Sequence, residues 1–263
     1  MILLVDVGNT QTVIGVTEKS SKIGEYHSKW RISTNKSATS DDILSIIEPL
    51  FELSGKCLQD VEAAAICSVV PKLEAAWRDC ISAHTDAVTV KCDAEAAQGA
   101  DLLICDYPRP EEIGGDRIAD AIAVKMLYGC PAVVVDFGTA TNMEVVDKNG
   151  RFIGGVICPG ISTSSEALFM NASKIQAVSL DAPEHVIGKS THEALCSGVV
   201  IGQTRMVDGL LESIFDQLGY RAKAVGTGGL VDIVGAHCEN ITDICRDLTI
   251  DGLRILVDHS QLS

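Results

Sequence analysis

Two short apolar runs stand half a chain apart and end in the same way. MILLV, residues 1–5, stops at Asp6, and AVVV, residues 132–135, stops at Asp136. Each is followed by Asp-x-Gly and a hydroxyl-rich turn: DVGNTQT from Asp6 to Thr12, DFGTATN from Asp136 to Asn142. Beyond each turn the pattern is that of strands. TVIGVTE and KIGEYHSKWRIS flank a turn at Lys19–Lys22, and NMEVVD and RFIGGVI flank one at residues 148–150, so each half opens with a three-strand meander. The apolar spacing then changes. Ile43, Ile46, Ile47, Leu50 and Phe51 share a helical face, as do Leu73, Ala76, Trp77, Cys80 and Ile81 behind Pro71, and EAAAICSVV between them reads as a buried strand. IGGDRIADAIAVKMLYG begins an amphipathic helix near Asp116, and Thr191 to Leu218 reads as one long helix with Gly198 and Gly202 on one side. Strands alternating with helices after a meander predict a mixed sheet covered by helices. With a break near Gly129–Pro131, the expectation is an α/β protein of two similar domains, 1–129 and 130–263, facing each other across a cleft.

Composition narrows the picture. At 263 residues and 46% hydrophobic content the chain can build two modest cores. No stretch reads as a membrane span or signal peptide, and a cytoplasmic location is expected. The ten cysteines form no CxxC pair and read as reduced thiols, many in apolar contexts; the six histidines form no HExxH. Thirty-six acids against 21 bases give a net charge of −15, which argues against a nucleic-acid surface. The same charge means that a phosphate ligand must be met by local donors or a metal.

A strand ending in Asp-x-Gly sets a carboxylate at the sheet edge and then presents amides and hydroxyls, a combination suited to a polyphosphate with a divalent cation. Asp6 could hold Mg²⁺ while Asn9, Thr10 and the turn amides donate to phosphate oxygens. A single copy could equally be an ordinary β-turn satisfying its own backbone; two copies at matched positions favour a clamp. GKST at 188–191 is no P-loop, because Pro183 stands where the first glycine would be needed. GTGG at 226–229 reads as a strand-to-helix turn open to a base or ribose. Asp116, after Gly114 and Gly115, could be a general base or the N-cap of its helix. The Gly198 and Gly202 face calls for a close neighbour, inside the domain or on another subunit.

Taken together, DVGNT at 6–10, YPRPEEIGGDR at 107–117, DFGTAT at 136–141, GGVICPG at 154–160 and TGG at 227–229 resemble type III pantothenate kinase, of the superfamily that contains acetate and sugar kinases, heat-shock chaperones and actin. The resemblance covers essentially the whole chain. It implies ribonuclease-H-like domains and ATP-dependent phosphorylation of pantothenate, the first step towards coenzyme A. It also implies that Asp6, Val7, Gly8, Asn9, Thr10, Gln11, Thr12 and Val13 meet ATP and Mg²⁺, with Thr139 adding an ATP contact. Asp136 matches the ligand of a potassium or ammonium ion. Tyr107, Gly114, Gly115, Asp116, Arg117 and Thr191 match pantothenate-binding positions, and Asp116 matches the catalytic base. A homodimer is implied, with Thr191 reaching the neighbouring subunit's site. The chain departs from the family's usual pattern at Gly115, where Ala is usual, at Arg109, where Asn is usual, and at Asn142, Met143 and Glu144. Two other readings share the scaffold: a non-catalytic regulator, and a kinase for another small hydroxylated substrate.

Overall fold

The computed structural model describes residues 1–171 and 181–260. The chain forms two compact units, Met1–Met126 joined by the segment that starts at Leu248, and Leu127–Asp247. In the first, β1 (Ile2–Val7), β2 (Gln11–Thr17) and β3 (Ser28–Ser33) form the expected meander. Helix α1 (Ser40–Leu53), β4 (Ala63–Ser68), α2 (Pro71–His84), β5 (Val88–Lys91), the short α3 (Ala94–Gly99), the two-residue β6 (Ile104–Cys105) and α4 (Gly115–Tyr128) follow. The five-stranded sheet runs β3-β2-β1-β4-β5, antiparallel within the meander and parallel from β1 to β5.

Strand parity sorts its side chains. Leu3, Val5, Val7, Ala64 and Ile66 point into a core with Ile43, Ile47, Phe51, Leu73, Trp77 and Ile81 from α1 and α2. Each large apolar side chain buried there contributes about 1.5–3 kcal/mol. Leu4, Asp6, Ala65 and Cys67 take the opposite face, so the end of β1 delivers a carboxylate away from the α1–α2 core. A capping box between Thr39 and Asp42 starts α1, and Pro71 occupies the first turn of α2, as its spacing predicts. The segment expected as strand from Lys22 is shorter. Turns closed by Ser21 N–H to Glu18 O and Glu25 N–H to Lys22 O, both 3.0 Å, occupy the backbone groups a ladder would use.

The second unit repeats the design with β7 (Ala132–Phe137), β8 (Ala140–Val146), β9 (Arg151–Pro159), α5 (Ile161–Asn171), α6 (Thr191–Cys196), α7 (Gly202–Leu218), β10 (Lys223–Thr227) and β11 (Asp243–Ile244). Its strands run β9-β8-β7-β10-β11, the order and directions of the first sheet. Val133, Val135, Phe137, Met143 and Val145 pack with Val200, Val207, Leu211 and Phe215. The long helix expected from Thr191 to Leu218 is continuous, with a π-helical turn at Ser197–Ile201 joining α6 to α7. Among the described residues neither Gly198 nor Gly202 meets a close neighbour from outside its own helix: a Cβ at either would find no such atom within 4 Å.

The last helix, α8 (Leu248–His259), departs from the expected division at residue 130: it packs on β1 and β4 of the first unit. The reason is a buried anchor. Arg254, 2% exposed, bonds Asp258 and donates to Thr17 Oγ1 and the carbonyls of Glu18, Lys19 and Ser21, while Thr249 Oγ1 donates to Asp120 at 2.7 Å. No described helix is long and apolar enough to cross a membrane.

Candidate functional site

The first Asp-x-Gly turn is built by the β1–β2 hairpin. Gly8 N–H donates to Gln11 O at 3.0 Å, closing a turn whose tip, Asn9 to Gln11, is exposed. Val7 and Thr12 are buried, so their side chains face the core, and Thr12 Oγ1 lies 2.9 Å from Thr34 Oγ1. Asp6 is partly exposed beside Cys67, its partner in the β1–β4 register, and the thiol donates to Asp6 Oδ1 at 3.2 Å. Two bases absent from the turn itself come from β3 and the chain after it. Lys36 Nζ donates to Asn9 Oδ1 at 3.1 Å and Arg31 Nη1 to Gln11 Oε1 at 2.9 Å. The sequence held a usable signal for Arg31, because an in-register meander sets it opposite Val13. Lys36 lies beyond the strand, where register says nothing.

Asp116 belongs to the same unit. It is the second residue of α4, not its N-cap; Gly114 precedes the helix and accepts its first bond, from Ile118 N–H at 3.2 Å. The Asp116 carboxylate nevertheless accepts Arg117 N–H at 2.8 Å, satisfying an amide of the first turn. Gly115 fixes where the helix starts. A Cβ there would stand 2.5 Å from Cys92 O and 2.9 Å from Cys67 Cβ, and Cys92 Sγ donates to Gly115 O at 3.3 Å. The helix start therefore rests on the cysteine that holds Asp6. Burial, then the Asp116 carboxylate, push the Asp6 pKa up to about 7, against the Cys67 hydrogen bond and the Arg31 charge. Burial also raises Asp116, opposed by the Arg117 backbone bond and charge. Tyr107 is half-buried just before a 3₁₀ turn at Pro110–Glu112, where Arg109 and Glu112 pair at 2.8 Å.

In the second unit Gly138 N–H donates to Ala140 O at 2.9 Å, a turn one residue tighter than the first. Thr139 is exposed at its tip, and its carbonyl accepts Gly160 N–H and Thr163 Oγ1. Asp136 pairs in register with Asn142 on β8. Gly228, at φ +92°, turns the chain after β10 with Phe137 N and O only 2.7 Å from where a Cβ would be. The helix expected after GTGG is instead a set of turns leading to a 3₁₀ turn at Gly235–His237. Asn142 Oδ1 is buried and has no hydrogen-bond partner among the described residues. A carboxylate at Asp136 with such an amide oxygen across the ladder is an oxygen donor set suited to a hard cation. Gln203 holds β8 nearby, donating to Thr141 Oγ1 at 2.8 Å. Thr191 is the exposed first residue of α6, whose N-cap Ser190 accepts Glu193 N–H at 3.1 Å. Among the described residues no three His, Cys, Asp or Glu side chains gather as a metal cluster.

Comparison with known proteins gives a consistent result. The profile of the family described as Type III pantothenate kinase matches residues 2–213. A protein of that name from Anaeromyxobacter sp. is 36% identical over 261 residues, covering 99% of this chain and all of the relative. Another, from Frankia casuarinae, is 40% identical over 260 residues, covering 98% and 99%. Among solved structures, a candidate 2-dehydro-3-deoxygalactonokinase from Sinorhizobium meliloti superposes over 100% of this chain and 98% of its own, with a TM-score of 0.61 at 13% identity. That likeness is one of fold.

Proposed function

This chain belongs to the type III pantothenate kinase family, whose members phosphorylate pantothenate with ATP in coenzyme A biosynthesis, and from that premise we propose which of its residues do the work. Asp116 takes the proton from the primary hydroxyl of pantothenate as the oxygen attacks the γ-phosphate. The observation that carries this is geometric: Gly115, beside Asp116 at the start of α4, packs against Cys67, whose thiol donates to Asp6 at 3.2 Å, and burial raises the pKa of both carboxylates. A base of raised pKa accepts a proton more readily near neutral pH than an ordinary carboxylate. Tyr107, Gly114, Gly115, Arg117 and Thr191 bind pantothenate, with Arg117 orienting the polar substrate.

Asp6 to Val13 and Thr139 bind ATP. Within the first turn the exposed Asn9, Thr10 and Gln11 contribute side chains, and the buried Val7 contributes backbone only. Asp6 would hold Mg²⁺, which when bound neutralises charge on the phosphates; Asp136, with the unsatisfied Asn142 oxygen, would hold K⁺ or NH₄⁺. The open Gly198 and Gly202 face supports a homodimer whose site Thr191 completes.

Asp116→Asn tests the assignment. Asn can keep the bond from Arg117 N–H but cannot accept a proton, and general-base catalysis is worth about 10² to 10⁴ in rate. Melting temperature and MgATP affinity should hold while turnover falls at least ~100-fold. Turnover within a few-fold of the parent would make Asp116 a helix-start residue and nothing more.

A further inference from the structure

With a net charge of −15, this protein must receive a polyphosphate in a turn that contains no base. The fold supplies bases from the strand alongside. Thr34 N–H donates to Thr10 O at 2.9 Å, tying the chain beyond β3 to the turn. Residues 35–38 then curl tightly: Ala38 N–H donates to Asn35 O at 3.0 Å, and Asn35 Oδ1 accepts Ser37 N–H and Ser37 Oγ. Lys36 sits in that curl with its ammonium on Asn9, while Arg31, two residues before Ser33 at the strand end, reaches Gln11. Lys36, Arg31, Asn9 and Gln11 are all exposed.

The polarity of these contacts matters more than their strength. Ammonium and guanidinium groups only donate, so each must face the oxygen of its amide. The NH₂ ends of Asn9 and Gln11 are thereby turned away from the cations and remain free to donate. An amide left to itself could present either end to an anion; here the cations select the attracting one. Each cation also keeps further N–H donors, two on Lys36 and four on Arg31 by the ordinary inventory of those groups, roughly counted.

We propose that Lys36 and Arg31 are anion-recognition residues for the phosphate chain of ATP, attracting it directly and fixing Asn9 and Gln11 as donors towards it. The inference rests on the reading that the first turn binds phosphate. It also changes the charge balance there, since Mg²⁺ no longer has to offset the phosphates alone.

Calorimetric titration of MgATP and of AMP into the full-length protein tests it, using the parent, Lys36→Ala, Lys36→Arg, Arg31→Ala and, as a charge-matched control, Lys19→Ala at the far end of the hairpin. Both proposed residues are exposed, so the variants should fold. Lys36→Ala and Arg31→Ala should each weaken MgATP about tenfold, the scale of losing a hydrogen bond to a charged group, with a smaller loss for AMP. Lys36→Arg should recover most of the loss, and Lys19→Ala should match the parent. In turnover assays the KM for ATP should rise in Lys36→Ala with the KM for pantothenate unchanged. MgATP affinity within twofold of the parent in both alanine variants would overturn the inference. Asp6→Asn, titrated alongside, tells two failures apart: weakened MgATP binding there with unchanged alanine variants overturns this inference alone, whereas parent-like binding in all three removes the first turn as the phosphate site.

Discussion

Gly115→Ala inverts what the family pattern suggests, because Ala is the residue usually found there. The new methyl would stand 2.5 Å from Cys92 O, 2.9 Å from Cys67 Cβ and 3.4 Å from Cys67 Cα, against the roughly 3.5–4 Å of a relaxed carbon contact. The nearest obstacle is backbone, and it is tethered: Cys92 N–H donates to Ile66 O at 2.8 Å, and Asp93 caps α3 by accepting Ala96 N–H at 2.9 Å. Relief must come from moving the start of α4. Overpacking of this kind costs about 1–3 kcal/mol, and the helix preference of Ala over Gly returns at most about 1 kcal/mol. The net loss should be on the order of 1–2 kcal/mol, a drop of a few degrees in melting temperature. Asp116 moves with the helix start, and since a displacement of about 1 Å at a reacting group can cost 10²-fold, turnover should fall at least about tenfold. Thermal melts and substrate-dependent ADP release at saturating ATP would measure both. Adding Cys67→Ala should not restore the parent, since the closest clash is with Cys92. Parent-like stability and turnover in Gly115→Ala would refute the reasoning.

Other outcomes follow from the same geometry. A carboxylate whose pKa is raised on folding contributes stability that is full below about pH 4 and is lost as pH climbs through about 7, so Asp6→Asn should gain stability over the parent at pH 8 relative to pH 5. Urea melts at the two pH values would show this, and a pH-independent difference would refute it. Turnover should require K⁺ or NH₄⁺ and drop steeply in Na⁺ alone, and K⁺ should raise the melting temperature of the parent more than that of Asp136→Asn; equal rates in purified sodium and potassium buffers would remove the cation site. Light scattering at low micromolar concentration should give about twice the chain mass, as a closed two-fold pair requires, and a fully active monomer would exclude a shared site.

The strands at the two turns were legible because fully buried strands leave unbroken apolar runs that stop at a charged residue, as MILLV and AVVV do at Asp6 and Asp136. The helices were legible where one face is buried, as at Ile43, Ile47 and Phe51. What escaped depends on contacts distant in sequence. Lys22 to His27 has strand-like residues but is held in turns, and α8 is assigned by Arg254 reaching carbonyls more than 230 positions away. The site was legible as a set of oxygen-bearing turns and one acid. Of its bases, Arg31 could have been placed by the register of the meander, but Lys36 could not, because it lies beyond β3 and meets Asn9 only once the chain after that strand curls back. The crowding at Gly115 was equally hidden, arising from two cysteines on separate strand ends.

The return of α8 to the first unit makes that unit discontinuous in the order of synthesis. A nascent chain will have completed the second unit's β11 before the residues that finish the first have been made. Until Leu248 and the residues after it emerge, β1 and β4 lack the helix that covers one of their faces, and the loops after β2 lack Arg254. The strand that carries Asp6 is thus among the earliest translated and the last to be sealed.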